Sequence, residues 1–371
     1  VAGNWRQEKQ CNIFLALPAF VVWLTINTSV LNLYSESIGR GRLQMFPKRR
    51  MRRNRSRIIQ PLLREVSLAK TDLIAPLFVD ETAKKRMPIA AMPGQFRYPV
   101  GEVAAAAEAL WDKGIHAVVL FGIPGEKDTM GTSAYLENGV IQQAISRVKA
   151  KVPQMVTITD VCACEYTSHG HCGIIGDTPC GPDVLNDESL ELMNRIALSH
   201  AGSGADIVAP SCMLDGMVGS IRTALDDAGY DRTLIMSYST KFCSAFYGPF
   251  RQAADSGYSF GDRSTYQLHP GNSREAILES QMDADEGADI LMVKPAGMYL
   301  DILSEVAALG LPVAAYQVSG EYSMIKAAAG NGWLNERAAA LESLTCIRRA
   351  GADLIITYYA EEAAGWLDEE L

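Results

Sequence analysis

The stretch DEGADILMVKPAG, residues 285–297, decides how the chain is read. Gly287 closes a segment rich in helix formers. Ala288 and Asp289 then lead into the apolar residues Ile290 to Val293, with Lys294 at their end. Glycine just past a helix, followed by a short aliphatic run, marks a helix C-terminus feeding a buried strand. Because the run is unbroken rather than alternating, it predicts a strand covered on both faces, as in a parallel sheet clothed by helices.

The same lead-in recurs at AGSGADIVAPS (201–211) and RAGADLIITYY (349–359). Working outward, LIAPLFV (73–79), AVVLFGI (117–123), MVTITDV (155–161), TLIMSYS (233–239) and LPVAAYQVSG (311–320) complete a series of eight runs. Stretches rich in Ala, Glu and Leu separate them, which predicts a (β/α)8 TIM barrel, although a doubly wound open sheet has the same local pattern. The polar residues favour the barrel. Asp160 and Cys162 end the third run, Ser211 the fourth, Lys294 the sixth, Ser319 the seventh and Tyr358 the eighth, while Lys241 follows the fifth. A barrel gathers those ends at one mouth, where barrel enzymes place their chemistry. Two long connections, Cys164 to about Asp187 and Phe242 to about Asn272, show little helical pattern and are expected to cover that mouth.

With 371 residues, 48% of them apolar and 21% charged, the chain has the make-up of a globular protein with a large core. A net charge of −9 argues against general nucleic-acid binding. The basic run PKRRMRRNRSR (47–57) is read as a solvated or subunit-contacting arm. Upstream, the apolar stretch 11–34 is broken by Pro18, Thr25, Asn27, Thr28 and Ser29, short of the roughly 20 clean residues a spanning helix needs. The expected organisation is an atypical extension over 1–45 with the natural start at Met45, an arm over 46–70, and a catalytic barrel over 71–371. Eight cysteines scattered through a chain this long fit a reducing cytoplasm better than a disulfide framework.

Three of those cysteines lie in DVCACEYTSHGHCG (160–173). If the strand runs on, Asp160, Cys162 and Cys164 share a face at period two, and Cys172 returns to them through a glycine turn. Two readings stay open: an open zinc site of three thiolates, or reduced buried thiols. Cys180, His169 and His171 are further candidate ligands. Lys294, at the end of an apolar strand, is placed where burial lowers an amine's pKa and makes it a nucleophile toward carbonyls. The alternative is a lysine that snorkels to the surface. Lys241, following the neighbouring strand, would face the same pocket, so that each ammonium depresses the other and the pair suits Schiff-base chemistry. Arg251 and Arg263 are candidate carboxylate clamps. Ser319 and Tyr358 could bind a second carboxylate or be satisfied strand ends.

At this point the sequence resembles the porphobilinogen synthase (5-aminolevulinate dehydratase) family, from about Phe46 to the C-terminal region. The resemblance is carried by DVCACEYTSHGHCG, APSCMLDG, IMSYSTKFCSAFYGPFR, GDRSTYQ, LMVKPAGMYLDI, YQVSGEYSMIKAA and AGADLIITYYA. It implies a barrel lyase of tetrapyrrole and heme biosynthesis that condenses two 5-aminolevulinate molecules into porphobilinogen. By motif, Lys294 would form the Schiff base with the first substrate, and Lys241 would form one with, or activate, the second. Cys162, Cys164 and Cys172 would hold a catalytic Zn2+, marking the zinc-dependent type. Arg251, Arg263 and Gln267 would bind the second substrate's carboxylate and Ser319 and Tyr358 the first's, with Asp160 and Ser211 near the first amino group. Glu279 would belong to an allosteric Mg2+ site at a subunit interface of a homo-octamer. A class I aldolase, with no need of clustered thiols, and a non-catalytic zinc-binding or redox-responsive interaction protein are the competing readings.

Overall fold

The computed structural model describes residues 56–179 and 181–369. The expected extension, most of the arm's basic run, the apolar stretch 11–34 and Cys180 lie outside the described residues. Residues 56–65 fall in a unit of their own and carry a 3-10 turn, Gln60–Leu63, with Pro61 in its first positions. From Val66 onward the chain is a second unit.

That second unit is a closed parallel barrel. Its strands are β1 (Leu73–Asp80), β2 (Ala117–Ile123), β3 (Val156–Val161), β4 (Ile207–Pro210), β5 (Leu234–Lys241), β6 (Ile290–Lys294), β7 (Val313–Gln317) and β8 (Leu354–Thr357). Each pairs with the next in chain order, and β8 returns to β1 with Ile355 opposite Leu73 and Ile356 opposite Ile74. That last pairing excludes the open sheet. Every apolar run anticipated from the sequence is a strand, with shifts at the ends that leave Cys162 just past β3 and Ser211 just past β4. β5 extends to Lys241, β7 stops at Gln317 so that Ser319 opens the helix Ser319–Gly330, and Tyr358 lies just beyond β8.

The Gly-Ala-Asp lead-ins have a physical task at the barrel floor. Gly204, Gly287 and Gly351 take φ of +100°, +104° and +120°, a left-handed conformation that costs a residue with a Cβ. The aspartates that follow clamp neighbouring strands. Asp289 accepts the Ile235 N–H on its carboxylate at 2.8 Å and donates its own N–H to the Ile235 carbonyl at 3.0 Å. Asp206 does the same with Thr157, and Asp353 with Val313.

β5 carries an irregularity that sets the site. Opposite β6, Ser237 pairs with Leu291 and Thr240 with Val293, so β5 holds one extra residue there. Ser237 bonds Asp283 and Thr240 bonds Ser280, both on the helix Ser273–Asp285. The bulge lets Tyr238 and Lys241, three apart, face inward together, and Lys241 sits in register with Lys294.

Both long connections hold more regular structure than their sequence suggested. The first contains an antiparallel hairpin, Ile175–Thr178 with Gly181–Val184, and the second a 3-10 turn Ala245–Tyr247 and a short helix Gly248–Ala253. Elements this short carry too few periodic positions to register in the sequence. The two connections are fastened together. Ser259 N–H donates to His169 O at 3.0 Å, and Arg263 donates from Nη2 to Gly170 O and Ser256 O at 2.9 Å each. At Gly170, φ is +72° and a Cβ would stand 2.2 Å from Gly257 O.

Asp289→Ala should leave the Ile235 N–H without its acceptor and cost about 1–3 kcal/mol. Urea unfolding measures it; an unchanged midpoint would contradict the clamp. Gly170→Ala should force the connections apart, speeding amide exchange over residues 255–267 while the barrel strands keep their protection. Equal exchange in both proteins would remove this glycine from the fastening.

Candidate active site

Lys241 and Lys294 stand opposite each other at the C-terminal ends of β5 and β6, both buried. The Lys294 ammonium lies 4.2 Å from the Tyr316 ring centroid, 4.9 Å from Tyr238, 5.1 Å from Phe250 and 5.3 Å from Tyr247. Burial, then the charge of Lys241, pull its pKa down to about 7, so much of it is the free amine near neutrality. Lys241 behaves otherwise. Burial lowers it, but Cys172, Cys162 and Asp160 outweigh that and its pKa rises. Its Nζ donates to the Ser211 carbonyl. The mutual depression expected from the sequence therefore holds for Lys294 alone, because Lys241 is the lysine beside the thiols.

The cysteines come together by a different route from the one the spacing suggested. β3 stops at Val161, and the chain turns with Tyr166 N–H and Thr167 N–H both donating to Ala163 O at 2.9 Å. Cys162 and Cys164 still meet, their sulfurs 3.2 Å apart, and the loop returns Cys172 so that all three Sγ atoms lie within 4.8 Å of one another. All three are buried. Hydrogen bonds from Cys162, Cys164 and Cys212 pull Cys172 well below the usual thiol range. Burial raises Cys162, and hydrogen bonding to Cys162 and Cys172 raises Cys164. Three buried sulfurs gathered within 4.8 Å of one another are the donor set a zinc ion takes. The histidines face elsewhere: His169 Nε2 meets Thr129 O, while His171 contacts Tyr266 Oη at 3.2 Å and Phe260 O at 3.0 Å.

Asp160 sits between the two groups. Its pKa is pushed up to about 7 by burial and by Glu165, against the pull of Lys241, Lys294 and the Ser211 hydroxyl. On the covering side, Arg263 and Gln267 are buried and Arg251 half-buried. Arg251 Nε, Arg263 Nε and both amide atoms of Gln267 find no hydrogen-bond partner among the described residues. Buried unmet donors are costly unless a ligand meets them, and a carboxylate suits this set. Ser319 Oγ accepts the Phe250 N–H at 2.9 Å, and Tyr358 Oη lies 2.9 Å from Tyr316 Oη. Glu279 lines a cavity of about 460 Å³ with Asp215 and Glu275; Gln267 lines it too, and neither lysine does. Burial, then Asp283 and Asp215, raise its pKa to about 7.

Reading the sequence missed three residues. Glu165, buried, accepts from Cys164 Sγ at 3.2 Å and comes within 4.8 Å of Asp160 and Cys162. Cys212 Sγ is 3.6 Å from Cys162 Sγ. Tyr238, also buried, faces both amines, its ring centroid 5.4 Å from Lys241 Nζ and 4.9 Å from Lys294 Nζ. Asking of every polar residue just past a strand end whether it faces the mouth would have found Cys212, which follows Ser211. Tyr238 needs the bulge, which nothing in the sequence announces.

The family model for delta-aminolevulinic acid dehydratase matches residues 48–366. The chain is 55% identical over 320 residues to the delta-aminolevulinic acid dehydratase of Archaeoglobus fulgidus, covering 86% of this chain and 98% of that one. To the Bacillus subtilis enzyme of the same name it is 48% identical over 327 residues, covering 88% and 99%. A crystal structure of delta-aminolevulinic acid dehydratase (porphobilinogen synthase) from Toxoplasma gondii, in complex with the reaction product porphobilinogen, superposes with a TM-score of 0.85 at 41% identity, over 88% of this chain and 93% of that one. Matched over nearly the full length of these relatives, with two buried lysines in register at the barrel mouth, the chain belongs to the delta-aminolevulinic acid dehydratase family.

Proposed function

We propose that the protein is a porphobilinogen synthase, condensing two molecules of 5-aminolevulinate into porphobilinogen with loss of two waters. The observation that carries this reading is the in-register pair Lys241 and Lys294, one amine near neutrality and the other cationic. The free amine of Lys294 attacks the ketone of the first substrate, and loss of water leaves a Schiff base whose cationic form draws electrons from the adjacent carbon. Lys241 binds or polarises the second ketone. Asp160, poised near neutrality, exchanges the proton at the first substrate's amino group, with Ser211 holding that group. Arg251, Arg263 and Gln267 take the second carboxylate on their unmet donors, and Ser319 and Tyr358 take the first.

We assign Cys162, Cys164 and Cys172 as the holders of Zn2+, which when bound supplies a Lewis acid to the second substrate. The buried sulfur cluster supports this reading over an aldolase, and the buried lysine pair supports it over a non-catalytic binding module. Glu279, beside Asp215 and Glu275, is our candidate for an Mg2+ site that modulates activity. Exposed Ile58 and Leu62 fit an arm that packs on other subunits of a homo-octamer. The free thiols among the described residues fit a reducing cytoplasm. Among the described residues no helix is long and apolar enough to cross a membrane.

Borohydride added with 5-aminolevulinate should trap a covalent adduct on Lys294. Because only the neutral amine attacks, the trapping rate should rise with pH through about 7 and vanish in Lys294→Ala. An adduct on another lysine, or a rate still climbing toward pH 10, would remove Lys294 as a nucleophile of lowered pKa. Replacing Cys162, Cys164 and Cys172 together with Ser should abolish zinc binding measured by elemental analysis of the dialysed protein; zinc retained at the wild-type ratio would refute the ligand assignment.

A further inference from the structure

Glu321 is a buried carboxylate that the proposed chemistry leaves unused, 6% exposed at the third position of the helix Ser319–Gly330. A glutamate there commonly accepts the N–H just before the helix, and its Oε2 accepts the Val318 N–H at 2.7 Å. The other oxygen serves a different segment. Oε1 accepts the Gly297 N–H at 2.7 Å, on the loop that follows β6 and begins with Lys294. The approach is so close that a Cβ on Gly297 would stand 2.3 Å from that oxygen.

Two ends of one substrate site meet through this carboxylate. β6 and β7 are neighbours, with Val293 opposite Ala315. Past β6 the Ala296 N–H donates to the Tyr316 carbonyl at 2.9 Å, and the Tyr316 ring centroid is 4.2 Å from the Lys294 ammonium. Gly297 then reaches Glu321. On the helix side Val318 precedes Ser319, whose hydroxyl accepts the Phe250 N–H at 2.9 Å. Next to it Gly320 packs so tightly that a Cβ would stand 2.5 Å from Phe246 O. One carboxylate, with an oxygen for each side, thus ties the loop bearing the Lys294 amine to the turn bearing the Ser319 hydroxyl. Burial pushes Glu321 up to about 7 against the pull of the Val318 and Gly297 N–H groups, so above neutrality its ionised form accepts from both.

We propose that Glu321 is a positioning residue that sets the span between the Lys294 amine and the carboxylate seat at Ser319, and so selects the first keto acid by its length. The proposal rests on the reading of Lys294 as nucleophile and Ser319 as part of that seat. A ketone bonded to Lys294 with its carboxylate at Ser319 bridges the two segments, and at a fixed span a homologue one methylene longer satisfies only one end. Glutamine cannot replace the carboxylate, because its amide offers one oxygen and turns an NH2 toward the other N–H.

The test is borohydride trapping on Lys294 at mildly alkaline pH, with sub-saturating 4-oxopentanoate, which is 5-aminolevulinate without its amino group, or 5-oxohexanoate, one methylene longer. Wild type should trap the shorter acid faster by about 10-fold or more, the discrimination one methylene gives in a pocket of fixed size. Glu321→Gln should narrow that preference by about 3- to 10-fold, the longer acid losing less than the shorter. Melting checks that the variant folds; Glu321→Asp, too short to reach both N–H groups, is the second variant if it does not. A folded variant with both rates lowered in the same proportion is what a merely structural role gives and would overturn the proposal, as would equal trapping of the two acids by wild type. No adduct on Lys294 with either acid in wild type would instead overturn the reading of Lys294 on which the proposal rests.

Discussion

The site depends on one pairing of strands. Because β5 carries an extra residue against β6 and regains register at its end, two lysine side chains are set side by side and buried. Each lysine alone would stay charged at neutral pH. Together and buried they divide the roles: the one walled by aromatic rings loses its proton most readily, and the one beside the thiols keeps it. That asymmetry is what an enzyme joining two copies of the same amino ketone requires, since the two copies must be handled differently.

The rest of the mouth builds on this pair. The cysteine loop supplies negative charge on the Lys241 side, and the buried carboxylates of Asp160 and Glu165 lie between the sulfurs and the amines. The same loop is tied through Gly170 to the segment bearing Arg263, so the cysteine loop and the segment that carries the buried arginine share a boundary.

Much of this was legible in the sequence for identifiable reasons. Unbroken apolar runs with positive-φ glycines before them are strong signals, and the aspartates after those glycines turn out to be the clamps that set strand order at the barrel floor. Lys294 was visible because a charge at the end of such a run has few structural uses. What stayed hidden depends on contacts between segments distant in the chain. The turn that replaces a straight continuation of β3, the bulge that rotates Tyr238 inward, and the approach of Cys212 to Cys162 across the gap between β3 and β4 are set by tertiary packing. The expected symmetry of the two lysines failed for the same reason: the charges that raise Lys241 come from the cysteine loop past β3 and from Asp160 on that strand.

The most direct test of the account is to mix the purified protein with 5-aminolevulinate under reducing conditions and assay for the pyrrole, before and after removing zinc with a chelator. The account predicts pyrrole that disappears on chelation and returns when zinc is restored. Folded, zinc-loaded protein that forms no pyrrole would contradict it.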